Sequence, residues 1–170
     1  VEMLTARQPD IPQGDPNQVE KALQMILKAK RPAILIGEEV QQLGGTQQII
    51  ELAEKLGAAV VTSDGAKGAF PEDHVQSLGQ IMGRRIWGEN PVQDWLGTCD
   101  LVIVLGSILP QRSTSGIGLQ LPKEMVHVLL DGEAIGKNSP VTVPIVANSQ
   151  AVVQQWLGAI GDQDVHKGNG

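Results

Sequence analysis

Apolar residues along this chain follow two rhythms that take turns. Short unbroken runs are bounded by glycine, proline or acids: AILIG after Pro32, AAVV after Gly57, DLVIVLGS, EMVHVLLD and VPIVAN. Runs of this kind predict strands buried on both faces. Between them the spacing becomes helical. Val19, Leu23, Ile26 and Leu27 form one stripe, opened by Asp15-Pro16 as cap and first helical residue and left at Lys30-Arg31-Pro32. Ile49, Leu52, Ala53 and Leu56 form a second stripe, between Gly44-Gly45 and Gly57. Asn90-Pro91 opens a third, with Val92, Trp95 and Leu96 facing inward. Asn148 or Ser149 caps the last, which carries Val152, Val153, Trp156, Leu157 and Ile160.

Strands alternating with amphipathic helices predict a doubly wound, Rossmann-like α/β domain: a mainly parallel sheet, six-stranded with five clear strands, covered by helices on both faces. The domain is expected over residues 15–161, with a polar, proline-bearing arm at 1–14 and a flexible tail at 162–170. Such sheets hold ligands beyond the carboxyl ends of their strands, where strand order reverses. Attention therefore falls on the loops after Ile36, Val61, Leu105 and Leu130.

Each of these loops has a chemical and a plain reading. GEEVQQLGG lacks the G-x-G-x-x-G spacing of a dinucleotide fingerprint, and Glu38 and Glu39 would repel a pyrophosphate; it reads as a sheet-to-helix loop with solvated acids. In SDGAKGAF, Gly65 and Gly68 bracket Lys67 without the G-K-[ST] spacing of a P-loop, so the glycines serve either a ligand or a tight exit from the strand. Arg112, in GSILPQRSTSGIG, suits a bidentate phosphate contact or a solvated surface. Asp131 stands where a ribose-binding acid would, and equally where a residue would cap the turn GEAIGKN.

Composition narrows the function classes. The 170 residues carry a net charge of −6, with three Trp, one Phe and no Tyr, which argues against nucleic acid and against an anionic membrane surface. A single cysteine, Cys99, precludes an intrachain disulfide and a cysteine-based zinc site. His74, His127 and His166 are dispersed, with no metal or triad spacing, and His127 reads as a core residue of its strand. No catalytic set and no metal site can be assembled. No signal peptide or bilayer-length apolar run is visible, so a cytoplasmic location is expected. The first residue is Val rather than Met, as in a processed or excised piece.

Four stretches together carry a resemblance: AKRPAILIGEEV, ELAEKLGAAVVTSDGAKGAFPEDH, DLVIVLGS and EAIGKNSPVTVPIVAN. In order and spacing, from about Ile11 to Leu157, they resemble the central domain of thiamine-diphosphate-dependent enzymes of the acetolactate synthase type. The resemblance implies a parent enzyme that decarboxylates 2-keto acids and joins the product to an acceptor, using thiamine diphosphate and Mg²⁺. Those cofactors would be bound by flanking pyrimidine- and diphosphate-binding domains of the same polypeptide. The glutamate that activates the thiazolium and the G-D-G…N diphosphate motif belong to those domains. The parent is expected to be a homodimer or homotetramer, and this domain to be inactive alone.

Some family members hold FAD in this domain, others ADP or nothing. The resemblance makes Gly37, Ser63, Gly65, Gly106, Arg112 and Asp131 the cofactor-binding candidates. Against FAD, Glu38 and Glu39 replace the neighbours of the first glycine, and Pro110-Gln111 stand where the family's G-A-R-x-D-D-R segment has paired aspartates. Leu129 replaces an acid within its strand, and Asn148 an aspartate after V-P-I-V. Two other readings are a stand-alone nucleotide-binding or NAD-linked module, and a ligand-free interaction domain.

Overall fold

The computed structural model describes residues 11–81, 91–109, 121–162 and 165. The tail and the first ten residues of the arm lie almost wholly outside that set. Six strands form one sheet in the order β3-β2-β1-β4-β5-β6: β1 (Pro32–Ile36), β2 (Ala59–Thr62), β3 (Ser77–Gln80), β4 (Leu101–Leu105), β5 (Glu124–Leu129) and β6 (Val143–Val146). Every neighbouring pair is parallel. The order runs outward one way from β1 through β2 to β3 and the other way from β4 to β6, so the switch point lies between β1 and β4.

The five predicted strands are all present. β3 is an edge strand, SLGQ, with every residue only half-buried, and nothing in its side chains distinguishes it from a loop. Its existence depends on pairing with β2, where the register shifts between Val60 and Thr62. At the opposite edge β6 alternates buried and exposed, with Pro144 turned outward; a proline lacking its N–H is tolerated on an edge.

Helices α1 (Pro16–Lys28), α3 (Thr46–Leu56) and α5 (Ser149–Ile160) cover one face. Their stripes pack on Ile34, Ile36, Val60, Ile103, Val126 and Val128, alternate residues of the strands. Helix α4 (Pro91–Leu96) lies on the other face, where Leu96 and Cys99 meet Ala33, Leu35, Val61, Val102 and Val104. Trp156 of α5 is fully buried and donates its indole N–H to the Val19 carbonyl at 3.1 Å, tying α5 to α1.

The helix boundaries follow local chemistry. Asp15 Oδ1 accepts from the N–H groups of Asn17 and Gln18, and Pro16 follows at the first helical position. Gly57 ends α3 at a φ of 59°, and Asn148 Oδ1 caps α5 by accepting from Ala151 N–H. The end of the arm is docked: Asn148 N–H donates to the Pro12 carbonyl, and Gly14 N–H to Gln155 Oε1.

One segment departs from expectation. GEEVQQLGG holds a short helix, α2 (Glu38–Leu43), rather than an open loop. Two acids in its first turn suit the positive end of the peptide dipoles. Val40 is its one buried anchor, and Gly44 stops it at a φ of 87°. Six residues with a single apolar anchor carry too little periodicity to be recognised.

Candidate functional site at the carboxyl rim

The chain leaves β1, β2, β4 and β5 along one rim, and the switch point puts Gly37 and Gly106 side by side. Gly37 N–H donates to the Leu105 carbonyl, and Gly106 N–H to the Val128 carbonyl, extending the sheet ladder past the ends of the strands. A Cβ on Gly37 would stand 2.3 Å from the Gly106 carbonyl oxygen. Gly106 has a φ of 68°, and a Cβ there would meet Glu39 Cβ at 2.7 Å. Both glycines are thus required by close approach of the chain to itself.

The acids of α2 are half-buried and bonded, which corrects the expectation that they are solvated. Glu38 leans towards β2: its Oε1 accepts from Ser63 Oγ at 3.0 Å, and it fills the space in front of Gly65, where a Cβ would come within 2.5 Å of Glu38 Cγ. Glu39 leans the other way. Its Oε2 accepts from Leu130 N–H at 3.0 Å, and its Oε1 from Ser149 Oγ at 3.4 Å, at the start of α5. Burial raises the Glu39 pKa above its ordinary value, while the bonds from Leu130 and Ser149 pull it back down.

The loop SDGAKGAF is stitched down as well. Gln41 Nε2 donates to the Lys67 carbonyl at 3.1 Å, and Thr46 Oγ1 to the Ala69 carbonyl at 2.9 Å. Phe70 is buried, and the His74 ring meets it edge-on at 5.2 Å between centroids. Gly68 has a φ of 86° and serves the turn.

The structure therefore brings together four of the six candidates, Gly37, Ser63, Gly65 and Gly106, around α2. Asp131 lies farther along the rim, exposed, and its Oδ1 accepts from Glu133 N–H at 3.0 Å, capping the turn. Arg112 lies outside the described residues. Sequence reasoning missed Glu39 as a structural centre. Only its position beside the rim glycines hinted at such a role, because the bonds that define it reach residues 91 and 110 positions away.

Other reactive groups are subdued. Cys99 is buried, and burial foremost pushes its thiol up to about 11, with Asp100 adding and Arg31 opposing, so it stays protonated near neutrality. His127 is buried in β5 with Nε2 2.7 Å from the Ser107 carbonyl. A carbonyl only accepts, so Nε2 carries the proton, and Nδ1 has no partner among the described residues. Burial lowers the His127 pKa, partly offset by the Ser107 bond. Among the described residues no group of three or more His, Cys, Asp or Glu could hold a metal ion. No described helix is long and apolar enough to cross a membrane.

Comparison with known proteins agrees with this anatomy. The family model described as "Thiamine pyrophosphate enzyme, central domain" matches residues 19–156. The probable acetolactate synthase large subunit of Methanocaldococcus jannaschii is 32% identical over 148 residues, covering 86% of this chain and 24% of that protein. The acetolactate synthase large subunit of Haemophilus influenzae is 28% identical over 151 residues, covering 88% and 26%. A solved protein from Mycobacterium smegmatis, described as thiamin diphosphate-dependent, superposes with a TM-score of 0.76 at 26% identity, covering 94% of this chain and 31% of that one. The chain thus spans about a quarter of the length of the curated relatives it matches. A parallel sheet of this order, matched by the family model from α1 to the buried tryptophan of α5, identifies the chain as a member of the thiamine pyrophosphate enzyme central-domain family, homologous to acetolactate synthase large subunits.

Proposed function

We propose that this chain serves as the middle domain of a thiamine-diphosphate-dependent enzyme that decarboxylates 2-keto acids and transfers the product to an acceptor. In this reading it is a scaffold that sets the spacing of flanking domains, and the thiazolium chemistry belongs to those domains. When bound there, thiamine diphosphate supplies the carbanion stabilisation that protein side chains lack. The residues of this chain contribute a rigid sheet and a nucleotide-type rim.

The observation that carries the reading is the family match across residues 19–156, joined to the small share of each relative that the chain spans. The test is carboligation. The chain with thiamine diphosphate, Mg²⁺ and pyruvate is expected to yield no acetolactate, whereas the same domain within a polypeptide bearing its flanking segments yields it. Acetolactate formed by this chain alone would overturn the proposal.

A further inference from the structure

The switch point of a doubly wound sheet is where a nucleotide diphosphate is ordinarily received, on backbone N–H groups and small residues that let it approach. Here that position holds the chain's own carboxylates. Glu38 covers Gly65 and takes the Ser63 hydroxyl on the β2 side. Glu39 takes the Leu130 N–H and the Ser149 hydroxyl on the β5 side, and its Cβ sits against Gly106. Gly37 and Gly106 already spend their N–H groups on the ladder.

We infer that Glu38 and Glu39 act as internal anions that take the place of a diphosphate and lock the rim in a nucleotide-free form. Three observations converge on this. The carboxylates lie on both sides of the switch point. They use donors there, a hydroxyl on the β2 side and an N–H and a hydroxyl on the β5 side, of the kind a phosphate would need. They also fill the space in front of the glycines. An entering diphosphate would have to displace both side chains and then sit beside two like charges. The inference deepens the reading of the rim as a nucleotide-type site. Because its test uses no thiamine diphosphate, it stands or falls separately from the carboligation assay.

The test is calorimetric titration of the chain with ADP and, in parallel, with adenosine. The wild type is expected to bind ADP with a Kd weaker than about 1 mM. The neutral variant Glu38→Gln/Glu39→Gln is expected to bind ADP at least about tenfold more tightly, since it removes two close like-charge contacts. Glu38→Gly/Glu39→Ala, which also empties the space, is expected to bind more tightly still. Adenosine, lacking phosphates, should change by less than about twofold. Should the glycine-alanine variant fail to fold, as judged by circular dichroism, the glutamine variant carries the test, because it keeps the side-chain volume. Micromolar ADP binding by the wild type would overturn the inference. So would unchanged ADP affinity in a folded variant, or equal tightening for adenosine.

Discussion

Where β1 and β2 end, the rim is polar and stitched. Glu38 is bonded to Ser63, Gln41 to the Lys67 carbonyl and Thr46 to the Ala69 carbonyl, so the helices that follow β1 are tied to the loop that follows β2. Where β4, β5 and β6 end, the rim instead presents Ile108, Leu130 and Val146, which are 49%, 36% and 57% exposed. Glu39 is the seam between the halves, reaching from α2 to Leu130 and Ser149. One half of the rim is complete in itself, held by side-chain hydrogen bonds between α2, α3 and the loop after β2. The other half leaves apolar side chains in water and gains nothing from their burial.

The largest test of that contrast is steric. Gly37→Ala would drive a Cβ into the Gly106 backbone, which has no room to yield, and is expected to cost about 3 kcal/mol in urea unfolding. Gly132→Ala, on the apolar half, would meet first the Val146 side chain, with Cγ2 at 2.9 Å and Cγ1 at 3.4 Å, which is exposed and can turn aside. It is expected to change stability by less than about 0.5 kcal/mol. Equal costs at the two positions would remove the distinction between a closed half and an open one.

The smallest expected effect is at the surface of the open half. Val146→Ser and Leu130→Ser are expected to shift stability by no more than about 0.5 kcal/mol each, while lowering retention of the folded protein on a hydrophobic-interaction column. A loss above about 1 kcal/mol would mean that these side chains belong to the core.

The strands and long helices were legible because burial on both faces of a parallel sheet demands unbroken Val, Ile and Leu runs, as in Leu101–Leu105. The Asp15 cap was legible, and the cap of α5 was narrowed to Asn148 or Ser149, because capping chemistry is local; the structure assigns it to Asn148. β3 was not, since SLGQ offers one apolar side chain and becomes a strand only against β2. α2 was not, since its six residues carry a single buried apolar side chain, Val40, and no proline at the start to mark the helix as Pro91 marks α4. At the rim, sequence reasoning picked the glycines and read Glu38 and Glu39 as repelling a ligand. It could not see that the two carboxylates are themselves held there, because their partners Ser63, Leu130 and Ser149 become neighbours only through the crossovers of the sheet.

The rim is held by its own side chains, and Glu39 is the place to test this. Wild type, Glu39→Gln and Glu39→Ala should be compared by urea unfolding across the acid-to-neutral range. Glutamine keeps an oxygen for Leu130 N–H and a polar partner for Ser149, whereas alanine leaves both without one. Near neutrality a loss of about 1–2 kcal/mol is expected for Glu39→Ala and of less than about 0.5 kcal/mol for Glu39→Gln. Because the folded pKa of Glu39 is raised, its protonated form is the one the fold favours. Wild-type stability relative to Glu39→Gln should therefore be greatest in acid, below the ordinary carboxyl pKa, and fall as pH rises through the folded pKa. An alanine variant as stable as wild type, with no such pH trend, would contradict the account.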